Sequence, residues 1–262
     1  MNSPYWEWGL KPCQISDELY YVGTKHGPSH LLDTGDGFLL IDTGFPQNAY
    51  MILENIRELG FNPYQIKHII HTHAHVDHMG STRAIASMTG AKTWLGKGDE
   101  DAACGKNDLA YYKEYELPFL EPFVPDFILS DKQTVKFGNA EILFLSTPGH
   151  TDGTLSLFLD LHWRGKTYRG GMFGGAGLNT LSKEYLSHHG LSMENRKKYL
   201  TSLDKLSKQK VEIHLGNHLS DNKHLEKINR LGETETPFID PHSWSNFLSE
   251  KRKAALEFFE KH

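Results

Sequence analysis

The chain has 262 residues, 38% hydrophobic and 23% charged, with 24 Gly, 11 Pro and only 2 Cys. This excludes a disordered, collagenous or disulfide-stapled protein and leaves room for one large α/β core, here expected to run over residues 1–262 as a single domain. The 28 basic and 33 acidic residues leave a formal net charge of -5 with no basic run, and no stretch approaches the roughly 18 apolar residues of a membrane span, so neither nucleic acid nor membrane is an expected partner.

Met1–Trp8 lacks a basic n-region, an apolar h-region and a cleavage site. The expected address is therefore cytoplasmic as the sequence stands, or secreted or periplasmic if the chain is a mature fragment. Cys13 and Cys104 match neither a CxxC pair nor a zinc knuckle and read as ordinary thiols. Leu19–Val22, His30–Leu32 and Phe38–Asp42 are short strand signals separated by Gly23, Gly35 and Gly37, a β-meander. Met51, Ile52, Ile56 and Leu59 make a helical face that ends at Gly60, and Ile66–His71 is strand again. A helix over Thr82–Thr89 stops at Gly90, and Lys92–Leu95 is the next strand. Residues 98–126 are irregular and aromatic, an excursion or lid in which Tyr111, Tyr112 and Tyr115, like Trp94, either face a substrate or pack beneath a loop.

The second half repeats the theme, with strands at Thr134–Phe137, Ala140–Ser146, Leu155–Leu159 and Lys166–Met172, a helix over Met193–Leu206 and a strand at Val211–Leu215. Asp240 and Pro241 suit the start of a last helix whose face carries Trp244, Phe247, Leu248, Lys251, Ala255 and Phe258 or Phe259. Two halves, each a sheet with helices on one side, suggest an α/β protein of αββα sandwich type, although periodicity alone does not separate it from other α/β layouts.

The count of 16 His turns attention to metal. After the strand Ile66–His71 comes Thr72-His73-Ala74-His75-Val76-Asp77-His78-Met79-Gly80-Ser81. Extended alternation sends His73 and His75 to one side, and a turn into the next helix lets Asp77 and His78 point elsewhere, so one loop can serve two neighbouring ions. His150, in Thr147-Pro148-Gly149-His150, and His218, in Leu215-Gly216-Asn217-His218, stand in comparable Gly-containing turns after apolar strands. Imidazole with few carboxylates and no thiolate suits zinc, while iron, cobalt and manganese also accept it. His71 belongs to the strand and is read as a packing or orienting residue; the remaining histidines are read as ordinary surface or core residues, with His214 a nearby competitor of His218.

At these residues the chain resembles the metallo-β-lactamase superfamily. The HxHxDH loop, the Pro-Gly-His turn, the final histidine and the early Leu40-Ile41-Asp42-Thr43-Gly44 segment occur in the family's order. The sequence is most similar to the third subclass of metallo-β-lactamases, with Ile15–Gly23 similar to its first strand, Thr89-Gly90-Ala91 to the end of its helix after the metal loop, and Pro237–Pro241 to the start of its last helix. The resemblance implies the αββα fold and two zinc ions, with iron or manganese as substitutes. It implies that His73, His75 and His150 hold one ion and Asp77, His78 and His218 the other, while Asp42 is a buried carboxylate that organises the metal loops.

Two departures stand out. Many superfamily hydrolases bridge the metals with an Asp near the end of the strand Lys166–Met172, where this chain reads Arg169-Gly170-Gly171-Met172-Phe173-Gly174-Gly175. This favours a lactamase-like site over the glyoxalase and phosphodiesterase type. Family lactamases also place Ser, Lys or Asn after that strand to receive a carboxylate, whereas here Asn179 and Thr180 are the substitutes at hand. Two ions about 3.5–4 Å apart lower the pKa of water between them toward roughly 7 and polarise a carbonyl. Asp77 both binds the second ion and orients the attacking hydroxide. The expected function is a dinuclear zinc hydrolase that opens a cyclic amide or ester of a small molecule, a β-lactam first and a lactone second. A cytoplasmic lactonase or thioesterase is the alternative, and a non-hydrolytic di-iron redox protein, which needs a flavin partner, the remote one. Oligomeric state is not readable from these residues.

Overall fold

The computed structural model describes residues 4–231 and 237–262. Its first sheet holds β1 (Cys13–Gln14), β2 (Leu19–Tyr21), β3 (His30–Asp33), β4 (Phe38–Ile41), β5 (Ile66–Ile70), β6 (Lys92–Gly96) and β7 (Phe127–Leu129), in that spatial order. The first four strands pair antiparallel; β4 to β7 pair parallel, which requires crossovers. Two of these crossovers carry α1 (Ala49–Glu58) and the helices α2 (Val76–Met79) and α3 (Thr82–Thr89), and the last contains α4 (Glu100–Ala103). The second sheet runs β12 (Ile213–Leu215), β11 (Lys166–Met172), β10 (Leu155–Trp163), β9 (Ala140–Ser146), β8 (Gln133–Phe137), antiparallel except for β11 with β12. The helices α5 (Lys183–His188), α6 (Glu194–Leu206), α7 (His224–Asn229) and α8 (Ser243–Lys261) belong to this half.

Side-chain alternation explains the layering. In β4, Leu39 and Ile41 enter a core shared with Leu157, Leu159 and Met172 of the second sheet, while Phe38 and Leu40 join Ile52, Ile56 and Ile85 beneath α1 and α3. On β10, Leu155, Leu157, Leu159 and Leu161 face the first sheet, and Phe158 points the other way onto Trp244, Tyr199 and Leu203 of α8 and α6. Two sheets share an inner core and each carries helices on its outer face, which is the αββα sandwich. Each fully buried Leu, Ile or Phe contributes about 1.5–3 kcal/mol of transfer free energy.

Several elements differ from the sequence reading. β4 stops at Ile41, because Asp42 turns into the left-handed region at φ 60°. The last helix begins at Ser243: Ile239 still bridges Ile213, and the Asp240 carboxylate accepts the His242 N–H in a turn rather than capping the helix. The excursion over 98–126 has only α4 as regular helix, and its apolar side chains pack in two groups. Leu109, Tyr112, Leu120 and Phe123 lie against Ala74, Met79 and Leu95, while Tyr115 and Leu117 lie against Phe45, Val76 and Trp8. Trp94 stacks on Phe127 and meets Phe137 edge-on, so it packs in the sheet.

Three buried histidines make the fold acid-sensitive. Desolvation holds His30, against Tyr21, down to about 4, and pushes His214 and His224 down to about 3. In the unfolded chain each titrates near 6.5, so the unfolded state binds more protons below that value. Their contribution is fully present above about pH 6.5 and is lost as pH falls toward the folded values, with His30 alone accounting for about 3 kcal/mol. Urea denaturation between pH 7.5 and 4.5 should show unfolding free energy falling with pH, and His30→Phe should flatten the slope. A pH-independent profile in the wild type would refute this account.

Candidate metal centre

The C-terminal ends of β4 and β5 lie side by side at one edge of the first sheet, and those of β9, β11 and β12 at one edge of the second. Asp42 and the six candidate donors stand in or just beyond these ends. His73 and His75 follow β5, and α2 starts on the extended residue His75, whose carbonyl accepts the N–H groups of His78 and Met79. This one-turn helix carries Asp77 and His78. Beyond β9, Gly149 at φ 140° lies so close to Tyr199 that a Cβ would sit 2.6 Å from its Cα, so only glycine allows the turn that delivers His150.

The result is two groups of three donors. One ring nitrogen from each of His73, His75 and His150 lies within 4.8 Å of the other two, and so does one donor atom from each of Asp77, His78 and His218. His150 Nε2 is 3.1 Å from His75 Nδ1 and His78 Nε2 is 3.3 Å from His218 Nε2. Asp77 Oδ2 is 3.4 Å from His78 Nε2 and 3.7 Å from His218 Nε2. The two groups touch, with the His73 and His78 rings 4.1 Å apart. Zn–N bonds of about 2.0–2.1 Å in tetrahedral geometry separate two nitrogens by about 3.3 Å, so these spacings fit ligands around single ions.

Hydrogen bonds fix which nitrogen each ring offers. His150 Nδ1 donates to the Gly177 carbonyl at 3.0 Å, and His78 Nδ1 to Asp42 Oδ2 at 2.8 Å, so in both rings Nε2 is the nitrogen turned toward the other donors. Burial, reinforced by the neighbouring imidazoles, holds His73 and His75 well below the usual histidine range and His150 down to about 3, so this group is neutral and its lone pairs are available. The other group is short of positive charge. Burial opposes a charged His78, yet Asp77 and Asp42 overcome it and push the imidazole up to about 10. Burial likewise opposes ionised Asp77, and His78 and His218 hold its carboxyl well below the usual range. Three neutral imidazoles beside a group that draws in a cation are a donor set that fits two divalent ions.

Asp42 stands behind the second group. It accepts the Thr72 N–H and hydroxyl, both at 2.8 Å, the His78 ring N–H, and the Asn217 side-chain amide at 3.3 Å. Asn217, which the sequence reading passed over, thereby ties the His218 turn to the His73 loop. His71 donates to the Trp94 carbonyl and accepts from Thr82, a packing role. Thr180 needs a correction: it is buried, with its hydroxyl donating to the His150 carbonyl at 2.7 Å, so it supports that ligand loop instead of facing a substrate carboxylate. Asn179 is exposed beside Gly177. At Gly174, in the segment just after β11, a Cβ would lie 1.9 Å from the Leu155 carbonyl and 2.8 Å from the Thr72 Cβ, so no side chain fits at that position.

The lid closes one flank. The Ala110 carbonyl accepts the Val76 N–H, the Tyr111 ring lies 5.1 Å from His75, and the Tyr115 hydroxyl donates to Asp77 Oδ2 at 3.4 Å. A cavity of about 860 Å³, lined by Lys25, Phe45, Tyr115, His218, Leu219 and Lys223 among others, opens onto the second group. Asp42→Asn keeps the size and the tolerance for positive φ but weakens the acceptor. Zinc affinity, measured by competition with a chromophoric chelator, should fall about 10–100-fold. Wild-type affinity in a folded variant would remove Asp42 from this role.

Comparison with known proteins agrees with the geometry. The solved structure of the FEZ-1 metallo-β-lactamase from Legionella gormanii superposes with a TM-score of 0.88 at 28% identity, over 97% of both chains. The class B3 di-zinc metallo-β-lactamase LRA-12 from an Alaskan soil metagenome gives a TM-score of 0.85 at 26% identity, over 98% of this chain and 97% of that one. Among curated sequences, an N-acyl homoserine lactonase of Bacillus thuringiensis is 27% identical over 159 residues, 52% of this chain and 59% of the lactonase. The chain spans about half the length of the curated relatives it matches. The model of the metallo-β-lactamase superfamily matches residues 22–162, and the chain belongs to that superfamily.

Proposed function

We propose that the protein is a dinuclear zinc hydrolase that opens a cyclic amide, a β-lactam in the first instance. The observation that carries this reading is the pair of touching three-residue groups, the second of which reaches an open cavity through His218. His73, His75 and His150 would hold one ion and Asp77, His78 and His218 the other. When bound, two such ions supply hydroxide at neutral pH and act as Lewis acids on a carbonyl oxygen.

The rest of the reaction is assigned to the chain's own groups. Asp77, kept ionised by its imidazole neighbours, orients the attacking water. The Tyr115 hydroxyl, 3.4 Å from Asp77 Oδ2, holds that carboxylate in place from the cavity side. With Thr180 behind His150, the anionic group of a β-lactam is assigned to Lys25 and Lys223, which line the cavity together with a single acidic residue, Glu226. The similarity to FEZ-1, a metallo-β-lactamase, supports the same substrate class. A lactone is the second reading, favoured by the apolar wall of Phe45, Leu219 and Leu225 and by the lactonase relative.

Acid release in a pH-stat by zinc-loaded protein, with a cephalosporin, a homoserine lactone and a glutathione thioester side by side, should be fastest for the cephalosporin and absent in His73→Ala. Asp77→Ala and His150→Ala should each lower turnover at least about 100-fold. Faster cleavage of the lactone or thioester would replace the substrate assignment, and near-native activity of either variant at saturating zinc would overturn the site.

A further inference from the structure

Asp99 lies between β6 and α4, at the residue before the first helical turn. An Asp there ordinarily accepts an N–H from its own helix. This one makes no such bond, although it is only 4% exposed. Its carboxylate is directed at two other segments. Oδ2 accepts the Ala74 N–H at 2.9 Å and the Thr151 hydroxyl at 2.8 Å, and Oδ1 accepts the Gly153 N–H at 2.8 Å. A buried carboxylate withdrawn from its own helix and given three donors elsewhere calls for an explanation beyond local folding.

The identity of the donors supplies it. Ala74 is the residue between His73 and His75, and Thr151 follows His150, so one carboxylate joins the two segments that provide all three imidazoles of the first group. Thr151 is itself locked, since its N–H donates to the Thr154 hydroxyl at 3.1 Å and the two hydroxyls are 2.8 Å apart. The seat admits no other side chain. A Cβ at Gly153 would lie 2.5 Å from Asp99 Cγ, and a Cβ at Gly98, which stands at φ 116°, would lie 3.0 Å from the Asp152 carbonyl carbon. None of the three donors lies among Asp77, His78 and His218; there Asp42 takes the His78 ring N–H and the side-chain amide of Asn217, next to His218.

We infer that Asp99 is the positioning residue of the His73, His75 and His150 group, holding its two ligand segments at the separation one ion requires, as Asp42 does for the other group. The inference rests on reading that group as a metal site. Asp99 does not touch the ion or substrate; it acts through backbone N–H groups on either side of the ligands.

The test is zinc affinity, read by chelator competition together with metal content per chain, in Asp99→Asn alone and combined with His150→Ala or His218→Ala. Asp99→Asn should weaken one of the two sites about 10–100-fold. It should retain that effect beside His218→Ala and add nothing beside His150→Ala, where the three-imidazole group is already disabled. Equal weakening in both backgrounds, the mark of general loosening, overturns the inference, and so does wild-type affinity at both sites. Thr151→Val removes one donor at constant shape and should weaken the same site more mildly. If Asp99→Asn does not fold, unchanged affinity in Thr151→Val overturns the proposal. Wild-type protein that takes up no zinc refutes the metal reading itself, a result distinct from two tight sites insensitive to Asp99.

Discussion

A carboxylate buried at the junction of the two sheets is the constraint on which the site depends. Asp42 is 1% exposed, and an ionised group so placed is tolerable only with a full set of donors. Those donors come from the end of β5, from α2 and from the turn after β12, so the charge draws segments of both sheets to one point. The left-handed turn at Asp42 ends β4 and aims the carboxylate across the sheet edge. Compensating this charge and presenting the Nε2 atom of His78 are one structural event.

Close backbone approach is the second condition. Gly96 lies against the Gly153 carbonyl, where a Cβ would be 2.0 Å away, and Gly174 lies equally close to Leu155. These contacts bring the edges of β6, β10 and β11 together beneath the ligand loops. A larger residue at either position would collide with backbone and force these segments apart. The glycine-rich segment after β11 lets the His150 loop lie close against Thr154 and Gly177.

Much of this was legible in the sequence, for a physical reason. Imidazoles in Gly-containing turns after apolar strands have few structural uses, so His73, His75, Asp77, His78, His150 and His218 stood out, and the structure gathers all six. Longer strands such as β9 and β11 were readable from their pattern, whereas the two-residue β1 and the six-residue α7 are too short to develop a period. The orienting groups were harder to find. Asn217 acts through its side-chain amide on a residue 175 positions away, and Asp99 through N–H groups that any residue type provides. Thr180 was read as a substrate contact because it follows the right strand, but its hydroxyl turns inward to the His150 carbonyl.

The same contrast separates reaction from substrate. Five of the six donors, and the carboxylates behind them, are buried and cross-linked, with His218 half-buried, so most of this geometry is set before any ligand arrives. The cavity walls are different in kind. Lys25 and Lys223 are exposed, and Tyr111 and Tyr115 are carried on a segment with little regular structure. Such positions accept substitution without disturbing Asp42 or the ligand turns, so one metal scaffold can present cationic, aromatic or aliphatic walls to different cyclic amides and esters. In this chain the walls combine two ammonium groups with apolar side chains, which suits a substrate that joins an anionic group to an apolar body. Under the proposed function a neutral lactone would use only the apolar half of that surface, so the balance between the halves would be set by the lysines and not by the proposed metal ligands.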